Sequence, residues 1–120
     1  MEIVNYIAEN VMGMTCLTGM VFFIAAIITY LFPPKKINYF YGYRTSRSMK
    51  NQEVWDFAQR FSSLKMMQGG IFLILISFLK LIFSFSDKIE LILSFLLIIG
   101  VVIYFFIVTE RAIKAKFPNQ

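Results

Sequence analysis

The chain has 120 residues, of which 58% are hydrophobic and only 16% are charged. A water-soluble domain of this size needs more polar surface, so the composition argues against a soluble globular protein and for a membrane protein. The formal net charge is +5, from twelve basic and seven acidic residues. Beside apolar segments, such an excess of cations is typical of cytoplasmic loops that face anionic lipid, and we do not expect nucleic-acid binding.

Many catalytic and metal sites need residues that this sequence lacks. It has no histidine, and Cys16 is its single cysteine. An intrachain disulfide, an imidazole-based catalytic triad and the commonest zinc sites are therefore excluded. We expect no cofactor, no metal and no enzymatic activity.

Three apolar segments are predicted to cross the bilayer. The first, residues 11–32, has 22 residues without a charge, and at about 1.5 Å per residue it reaches about 33 Å, enough for a hydrocarbon layer of about 30 Å. The second, residues 66–85, contains Lys80 as its only charge, and the third, residues 91–109, contains none. We predict an all-α integral membrane bundle of three transmembrane helices that forms a single domain over residues 1–120.

Single residues within these spans have two kinds of expected role. The side chain of Lys80 is expected to reach the outer interface near Asp87 or Glu90, the other interpretation being a cation that faces an internal cavity. Glycines in the spans are expected to allow close helix packing. These glycines are Gly13, Gly19, Gly69, Gly70 and Gly100.

The long polar loop, residues 33–65, determines the predicted topology. It holds seven of the twelve basic residues, and the carboxyl-terminal tail adds three more. The positive-inside rule places the loop and the carboxyl terminus in the cytoplasm and the amino terminus outside, in a multi-pass protein of the cytoplasmic membrane. Aromatic residues also concentrate at the predicted inner interface, where amphipathic rings prefer to lie, although those of residues 39–43 fit a buried patch in a folded loop equally well. These aromatic residues are Tyr30, Phe32, Tyr39, Tyr41, Tyr43 and Trp55.

Residues 51–65 are predicted to form an amphipathic helix that lies along the inner membrane surface or packs on the ends of the spans, and that can continue into the second span. Gln59 and Ser63 fall on its predicted polar side. Ser48 or Asn51 can cap its start. Its apolar positions are Val54, Phe57, Ala58, Phe61 and Leu64. The charges expected to pair near the helix start are Arg44 and Arg47 with Glu53 and Asp56.

The loop also carries a recognisable motif. It consists of Asn38, a glycine-aromatic-arginine-threonine turn at residues 42–45, and Trp55 about ten residues later. This order between two spans resembles the signature of the SdpI family of bacterial membrane proteins, and the resemblance covers about residues 15–110. The resemblance implies an immunity protein, because the named member of that family protects its producer from a secreted toxic peptide and also holds a transcriptional repressor at the membrane. That member has additional spans, so this chain looks like the shared carboxyl-terminal unit.

The leading hypothesis is therefore a non-enzymatic immunity protein that binds an antimicrobial peptide or shields its target in the bilayer. The alternatives are a scaffold that recruits a soluble transcriptional regulator to the loop, and a small transporter or enzyme subunit. The partners under consideration are membrane lipids, a peptide toxin, a soluble regulator and a second copy of the chain. The candidate binding residues are Asn38, Gly42, Tyr43, Arg44, Thr45, Asn51, Glu53, Trp55, Asp56 and Arg60.

Three of these residues have a specific expected role. Arg44 is expected to hold the turn through charged hydrogen bonds. Trp55 is expected to fix the depth of the loop at the membrane interface. Glu53 is expected to orient Arg44 or Arg47.

Overall fold

The computed structural model describes residues 2, 3, 5, 13–83 and 85–118, and for residues 80 and 81 it describes the backbone alone. Over this part of the chain the protein forms three α-helices: α1 (Met14–Leu31), α2 (Gln52–Ser77) and α3 (Asp87–Lys116). A short 3-10 helix, Phe78–Leu81, follows α2. No strand occurs among the described residues. The predicted all-α class is confirmed.

The first helix follows the first apolar segment. It ends at Leu31, and Phe32 leaves the helical conformation directly before Pro33. A residue before proline is driven away from the α region, which accounts for the end of the helix. Val11 and Met12, at the start of the predicted span, lie outside the described residues.

The second helix joins the predicted loop helix to the first part of the second span, a continuation that the sequence analysis allowed. It starts where expected, because Asn51 Oδ1 caps it by accepting a hydrogen bond from the backbone N–H of Val54 at 3.0 Å. It then continues without a break through Met66. The regular α-helix ends at Ser77 and the 3-10 helix at Leu81, four residues before the end of the predicted span at Phe85. The α-helix changes after Ser77 to the tighter 3-10 form, because a short connection must lead the chain back to α3.

Two of the three helices, α1 and α3, are long and apolar enough to cross a membrane. Only 22% of the apolar window of α1 and 11% of that of α3 are buried inside the protein, whereas the core helix of a soluble protein is mostly buried. The remaining helix, α2, starts with a polar half, and within the described residues it does not meet the same criterion.

The closest helix contact is between α1 and α2, which run antiparallel. A Cβ atom built on Gly19 would lie 2.7 Å from the backbone oxygen of Gly70, and one on Gly70 would lie 2.7 Å from the backbone oxygen of Gly19. Packing therefore explains these two glycines, as predicted. Gly69 has a similar role against α3, since its Cβ would lie 2.9 Å from a methyl group of Val101. Gly100 differs, because its Cβ would meet nothing within 4 Å.

Two hydroxyl pairs hold α1 to its neighbours at opposite ends. Thr15 Oγ1 donates to Ser94 Oγ of α3 at 2.8 Å, in a buried position. Thr29 Oγ1 lies 2.7 Å from Ser63 Oγ of α2. In apolar surroundings such pairs satisfy hydroxyl groups that would otherwise lose their hydrogen bonds, so they fix the register of the helices.

A small core forms where the loop meets the start of α2 and the end of α3. The buried members of this core are Tyr43, Val54, Ala58, Ile113 and Phe117, with Phe57 and Phe105 packed against them. The predicted pattern of α2 is correct for Val54 and Ala58. It is wrong for Gln59 and Ser63, which are 2% and 3% exposed and face the bundle rather than the polar surroundings.

Candidate functional site

The loop between α1 and α2 folds back onto the bundle, and Trp55 is one anchor of this arrangement. Its ring is fully buried, and Nε1 donates a hydrogen bond to the backbone oxygen of Pro34 at 2.7 Å. The prediction that Trp55 marks the membrane interface is therefore wrong, because an indole N–H that is buried finds its partner within the protein. Tyr43 is also buried, whereas Tyr39 and Phe40 are 77% and 93% exposed. The aromatic residues of the loop thus divide into a buried pair and an exposed tip.

Asn38 shapes this exposed tip. Its Oδ1 accepts hydrogen bonds from the backbone N–H groups of Phe40 and Tyr41 at 2.9 and 2.7 Å, and its Nδ2 donates to the oxygen of Lys36 at 2.9 Å. An asparagine that accepts from the backbone two residues ahead forms an Asx turn. The first residue of the motif therefore has a structural role in turning the chain.

Gly42 occupies a position that other residues cannot adopt without strain. Its φ is +103°, and a Cβ atom there would lie 2.5 Å from Gln59 Oε1 and 2.6 Å from Cγ of Pro34. Both the backbone conformation and the close approach of α2 require glycine. This explains the glycine of the motif.

Gln59 ties the loop to α2. The N–H of Tyr43 donates to Gln59 Oε1 at 2.7 Å, and Gln59 Nε2 donates to the oxygen of Tyr43 at 2.8 Å. One buried amide thus pairs with both backbone groups of a loop residue, as a neighbouring strand would. Gln59 was not among the predicted binding residues, although it belongs to a row of small or polar residues at helical spacing that continues to Ser62 and Ser63.

Thr45 and Ser48 close the next turn. The Thr45 N–H donates to Ser48 Oγ at 2.8 Å, the Ser48 N–H donates to Thr45 Oγ1 at 3.1 Å, and Ser48 Oγ lies 3.1 Å from the oxygen of Tyr43. Ser48 is fully buried. These reciprocal bonds replace the secondary structure that this segment lacks, and they set the position of Tyr43.

The charged residues near this turn pair differently from the prediction. Arg44 donates from its guanidinium to the backbone oxygen of Tyr39. Arg47 Nε lies 3.7 Å from Glu110 Oε2 of α3. In the described part of the chain Glu53 pairs with neither arginine, and Asp56 accepts from Gln52 at 2.7 Å. The predicted pairing of the arginines with Glu53 and Asp56 is wrong, because the loop packs its arginine-bearing turn toward α3.

A pocket lies beneath the folded loop, with a volume of about 320 Å³. It contains three of the predicted binding residues, Gly42, Tyr43 and Arg44, and the missed residue Gln59. Glu53, Asp56 and Arg60 are exposed and do not line it. The remaining lining residues are Ala25 and Thr29 of α1, Ser62, Ser63 and Met66 of α2, and Phe105 and Phe106 of α3. We call this space the loop pocket.

The lining of the loop pocket offers mainly hydrogen-bond acceptors on apolar walls. Ser62 Oγ donates to the backbone oxygen of Gln59 at 3.2 Å. Of the Thr29 and Ser63 hydroxyls, which lie 2.7 Å apart, one donates to the other and the second donates to a backbone oxygen of its own helix, that of Ala26 at 3.1 Å or that of Gln59 at 2.8 Å. A hydroxyl has one proton, so a group that uses it on a carbonyl keeps only lone pairs for a ligand. Arg44 adds a cationic guanidinium at the rim.

Residues 35–109 match the SdpI/YfhL protein family. The chain belongs to this family. The protein is also 37% identical over 102 residues to the uncharacterized protein YfhL of Bacillus subtilis (strain 168). The alignment covers 85% of this chain and 87% of the relative. No solved structure gives a significant match.

The SdpI/YfhL match covers the loop, all of α2 and most of α3, which together supply nine of the eleven residues that line the loop pocket. Ala25 and Thr29 precede the matched range. The pocket is thus built mainly from the segment that defines the family. Lys80 also lies in the match, but its side chain is outside the described part of the structure.

The buried Tyr43 and the partly exposed Glu110 form a polar corner beside the pocket. Tyr43 is 7% exposed and packs edge-on against Phe105, with ring centroids 5.6 Å apart. Burial raises the pKa of the Tyr43 hydroxyl far above its ordinary value of 10.0, and the negative charge of Glu110 raises this pKa further. Thr45 opposes the shift, although within the described residues the Tyr43 hydroxyl lacks a partner with hydrogen-bond geometry. No group of three His, Cys, Asp or Glu residues that could hold a metal occurs in the described ranges.

Proposed function

We propose that the protein is a non-enzymatic membrane immunity protein, which protects the cell that makes it from a secreted antimicrobial peptide. It acts by binding the peptide or by shielding the target of the peptide in the bilayer. The observation that carries this proposal is the family match together with the location of the loop pocket. The segment that defines the family folds over a cavity and does not form an open loop.

The proposed protein crosses the cytoplasmic membrane three times, with the amino terminus outside. The apolar half of α2 supports this number, although it is short. Residues 66–77 rise about 18 Å and the 3-10 helix about 8 Å more, which together approach the thickness of about 30 Å. The basic loop and the basic last turn of α3 then lie on the cytoplasmic side.

The chemistry of the loop pocket suits a segment of peptide. A peptide backbone or ammonium group supplies N–H donors, and the hydroxyl oxygens of Thr29, Ser62 and Ser63 accept them. Phe105, Phe106 and Met66 supply apolar contacts for a side chain. The volume of about 320 Å³ is at the lower end of the range of ligand sites, so one or two side chains would fill it.

Survival under peptide attack tests the proposal. A sensitive bacterial host that expresses the protein is exposed to a panel of secreted antimicrobial peptides, and colony counts are compared with those of the same host carrying an empty vector. We expect at least one peptide to kill the expressing cells less. Equal survival across the whole panel, with the protein detected in the membrane fraction, would refute the proposal.

Two arginine variants locate the function on the chain. Arg44→Gln removes the cation at the rim of the loop pocket, whereas Arg60→Gln removes an exposed cation that does not line it. We expect Arg44→Gln to lose most of the protection at equal membrane abundance and Arg60→Gln to keep it. The reverse result would move the site away from the loop pocket.

A second candidate function is a scaffold for a soluble regulator, favoured by the exposed tip of the loop. Tyr39 and Phe40 stand largely uncovered, next to the exposed Lys35 and Lys36. Exposed aromatic side chains are typical of protein recognition surfaces, and the adjacent lysines favour an acidic partner. Affinity purification of the intact protein, compared with a Lys35→Glu/Lys36→Glu double variant, tests this function. Recovery of the same soluble proteins with both forms would exclude it.

A further inference from the structure

A second groove runs between α2 and α3 on the side away from α1. Its volume is about 490 Å³, and all of its lining residues belong to α2 and α3. These residues are Lys65, Gln68, Gly69, Phe72, Leu96, Leu97, Gly100, Val101 and Tyr104. We call this space the lateral groove, and it is separate in lining and chemistry from the loop pocket.

Gly100 gives the lateral groove its depth. A Cβ atom on Gly100 would meet nothing within 4 Å, so helix packing does not explain this glycine. Glycine inside a helix costs about 1 kcal/mol relative to alanine. Across the groove, Gly69 brings α2 close to Val101. Gly69 and Gly100 therefore leave a slot between α2 and α3, which otherwise touch.

The lateral groove has one polar end and one apolar end. Lys65, Gln68 and Tyr104 lie at the end nearer the loop, and Phe72 and Leu96 lie at the other. The seven steps from Lys65 to Phe72 rise about 10 Å along α2. A slot of this kind matches an amphiphile, with its head at Lys65 and its chain beside the glycines.

The charge of Lys65 indicates the sign of the head group. Its Nζ donates to Gln68 Oε1 at 3.3 Å and lies 5.5 Å from the ring centroid of Phe61. Among the described residues the ion pair present is that of Arg47 with Glu110, so no carboxylate neutralises Lys65. A smaller cavity of about 220 Å³ shares Lys65, Gly69 and Val101 with the groove. This cavity extends the space next to Lys65 toward the inside of the bundle.

We propose that the lateral groove binds one anionic phospholipid of the surrounding bilayer, with the phosphate at Lys65 and an acyl chain along Gly69 and Gly100. Anionic lipids concentrate on the cytoplasmic leaflet, where the basic loop places Lys65. The inference rests on the proposed membrane placement and not on immunity to a peptide.

Lipid binding by the purified full-length protein tests this inference. The protein in a neutral detergent is titrated with phosphatidylglycerol or with phosphatidylcholine of the same acyl chains. Native mass spectrometry counts bound lipids, and the unfolding temperature reports their effect. We expect one phosphatidylglycerol to remain bound at low lipid concentration and to raise the unfolding temperature more than phosphatidylcholine does.

Two variants separate the head-group contact from the chain contact. Lys65→Gln should lower the preference for phosphatidylglycerol about fivefold, the size of one lysine contact with an anionic head group, while Lys114→Gln, an exposed lysine outside the groove, should not. Gly100→Leu should fill the slot and remove the tightly bound lipid of either kind. It should still fold, because its side chain enters open space.

Three results would overturn the inference. The first is an unchanged lipid count in Gly100→Leu, and the second is an equal effect of Lys65→Gln and Lys114→Gln. The third is a dimer in the unmodified protein that Gly100→Leu dissociates, since the groove would then be a contact between copies. Loss of protection in the killing assay bears on none of these measurements, so the two proposals fail independently.

Discussion

Gln59 shows how a single polar residue can organise the site. Its amide pairs with both backbone groups of Tyr43, and Gly42 leaves the room for it. The sequence predicted the glycine of this turn from the motif. It did not predict the glutamine, because a helical pattern groups Gln59 with the exposed Asp56 and Arg60. Only the position of the folded loop shows that this side of the helix is covered.

Replacement of Gln59 tests this role. Gln59→Leu leaves the buried N–H of Tyr43 without its acceptor, and an unpaired buried donor costs about 1–3 kcal/mol. We expect the free energy of unfolding in detergent to fall by about this amount. Gln52→Leu, at the exposed start of α2, should lower it by less than about 1 kcal/mol. Equal losses in the two variants would contradict the role given to Gln59.

Tyr43 makes stability depend on pH at the alkaline end. Its folded pKa is raised by burial and by Glu110, so the folded protein holds the hydroxyl proton more tightly than the unfolded chain. The stabilisation is complete below the ordinary pKa of 10.0 and is lost as pH rises beyond it. Tyr43→Phe removes this group, and we expect its unfolding temperature to fall less than that of the unmodified protein between about pH 8 and about pH 11.

The same variant has a second expected result at neutral pH. The Tyr43 hydroxyl is buried and, within the described residues, lacks a hydrogen-bond partner. Its removal should therefore cost little stability. Two results would contradict this description of Tyr43 and Glu110. One is an equal loss of stability with rising pH in both proteins, and the other is a large loss of stability in Tyr43→Phe at about pH 8.

At the scale of the helices, the sequence predicted where apolar segments lie better than where helices end. The third predicted span stops at Thr109 because charges follow, yet α3 continues to Lys116 and starts at Asp87. Charged residues end the part of a helix that suits lipid, but they do not end its hydrogen bonds. For the same reason α2 passes from its polar half to its apolar half without a boundary.

The crossing of α1 and α2 gives a test at this scale. Gly19→Ala places a methyl group 2.7 Å from the backbone oxygen of Gly70, so the helices must separate. We expect a loss of about 1–3 kcal/mol in the free energy of unfolding, the usual cost of overpacking. Gly100→Ala, which meets open space, should instead gain up to about 1 kcal/mol from helix propensity. Similar effects of the two substitutions would show that the crossing is not tightly packed.

At the scale of the whole molecule, the protein is elongated, with extents of 54 × 25 × 21 Å. Composition and charge distribution predicted an all-α chain with a basic end, and the motif predicted the family. Neither predicted which faces of the helices meet. Buried pairs such as Thr15 with Ser94 join residues 79 positions apart, and an apolar helix in lipid carries no polar stripe that would mark its outer side.

The orientation of the molecule in the membrane can be measured directly. With Cys16 replaced by alanine, Ser46→Cys places a thiol in the exposed loop and Lys88→Cys places one at the exposed start of α3. We expect a membrane-impermeant maleimide to label position 88 in intact cells and position 46 only after the membrane is opened. Labelling of position 46 in intact cells would reverse the proposed topology.

The loop pocket has walls of two different origins along the chain. The loop that covers it and most of its lining residues come from residues 35–109, whereas Ala25 and Thr29 come from α1. Exchange of the first helix between relatives would therefore alter one wall and leave the tied loop intact. A protein built in this way can acquire a new selectivity through changes in one helix while its architecture is inherited unchanged.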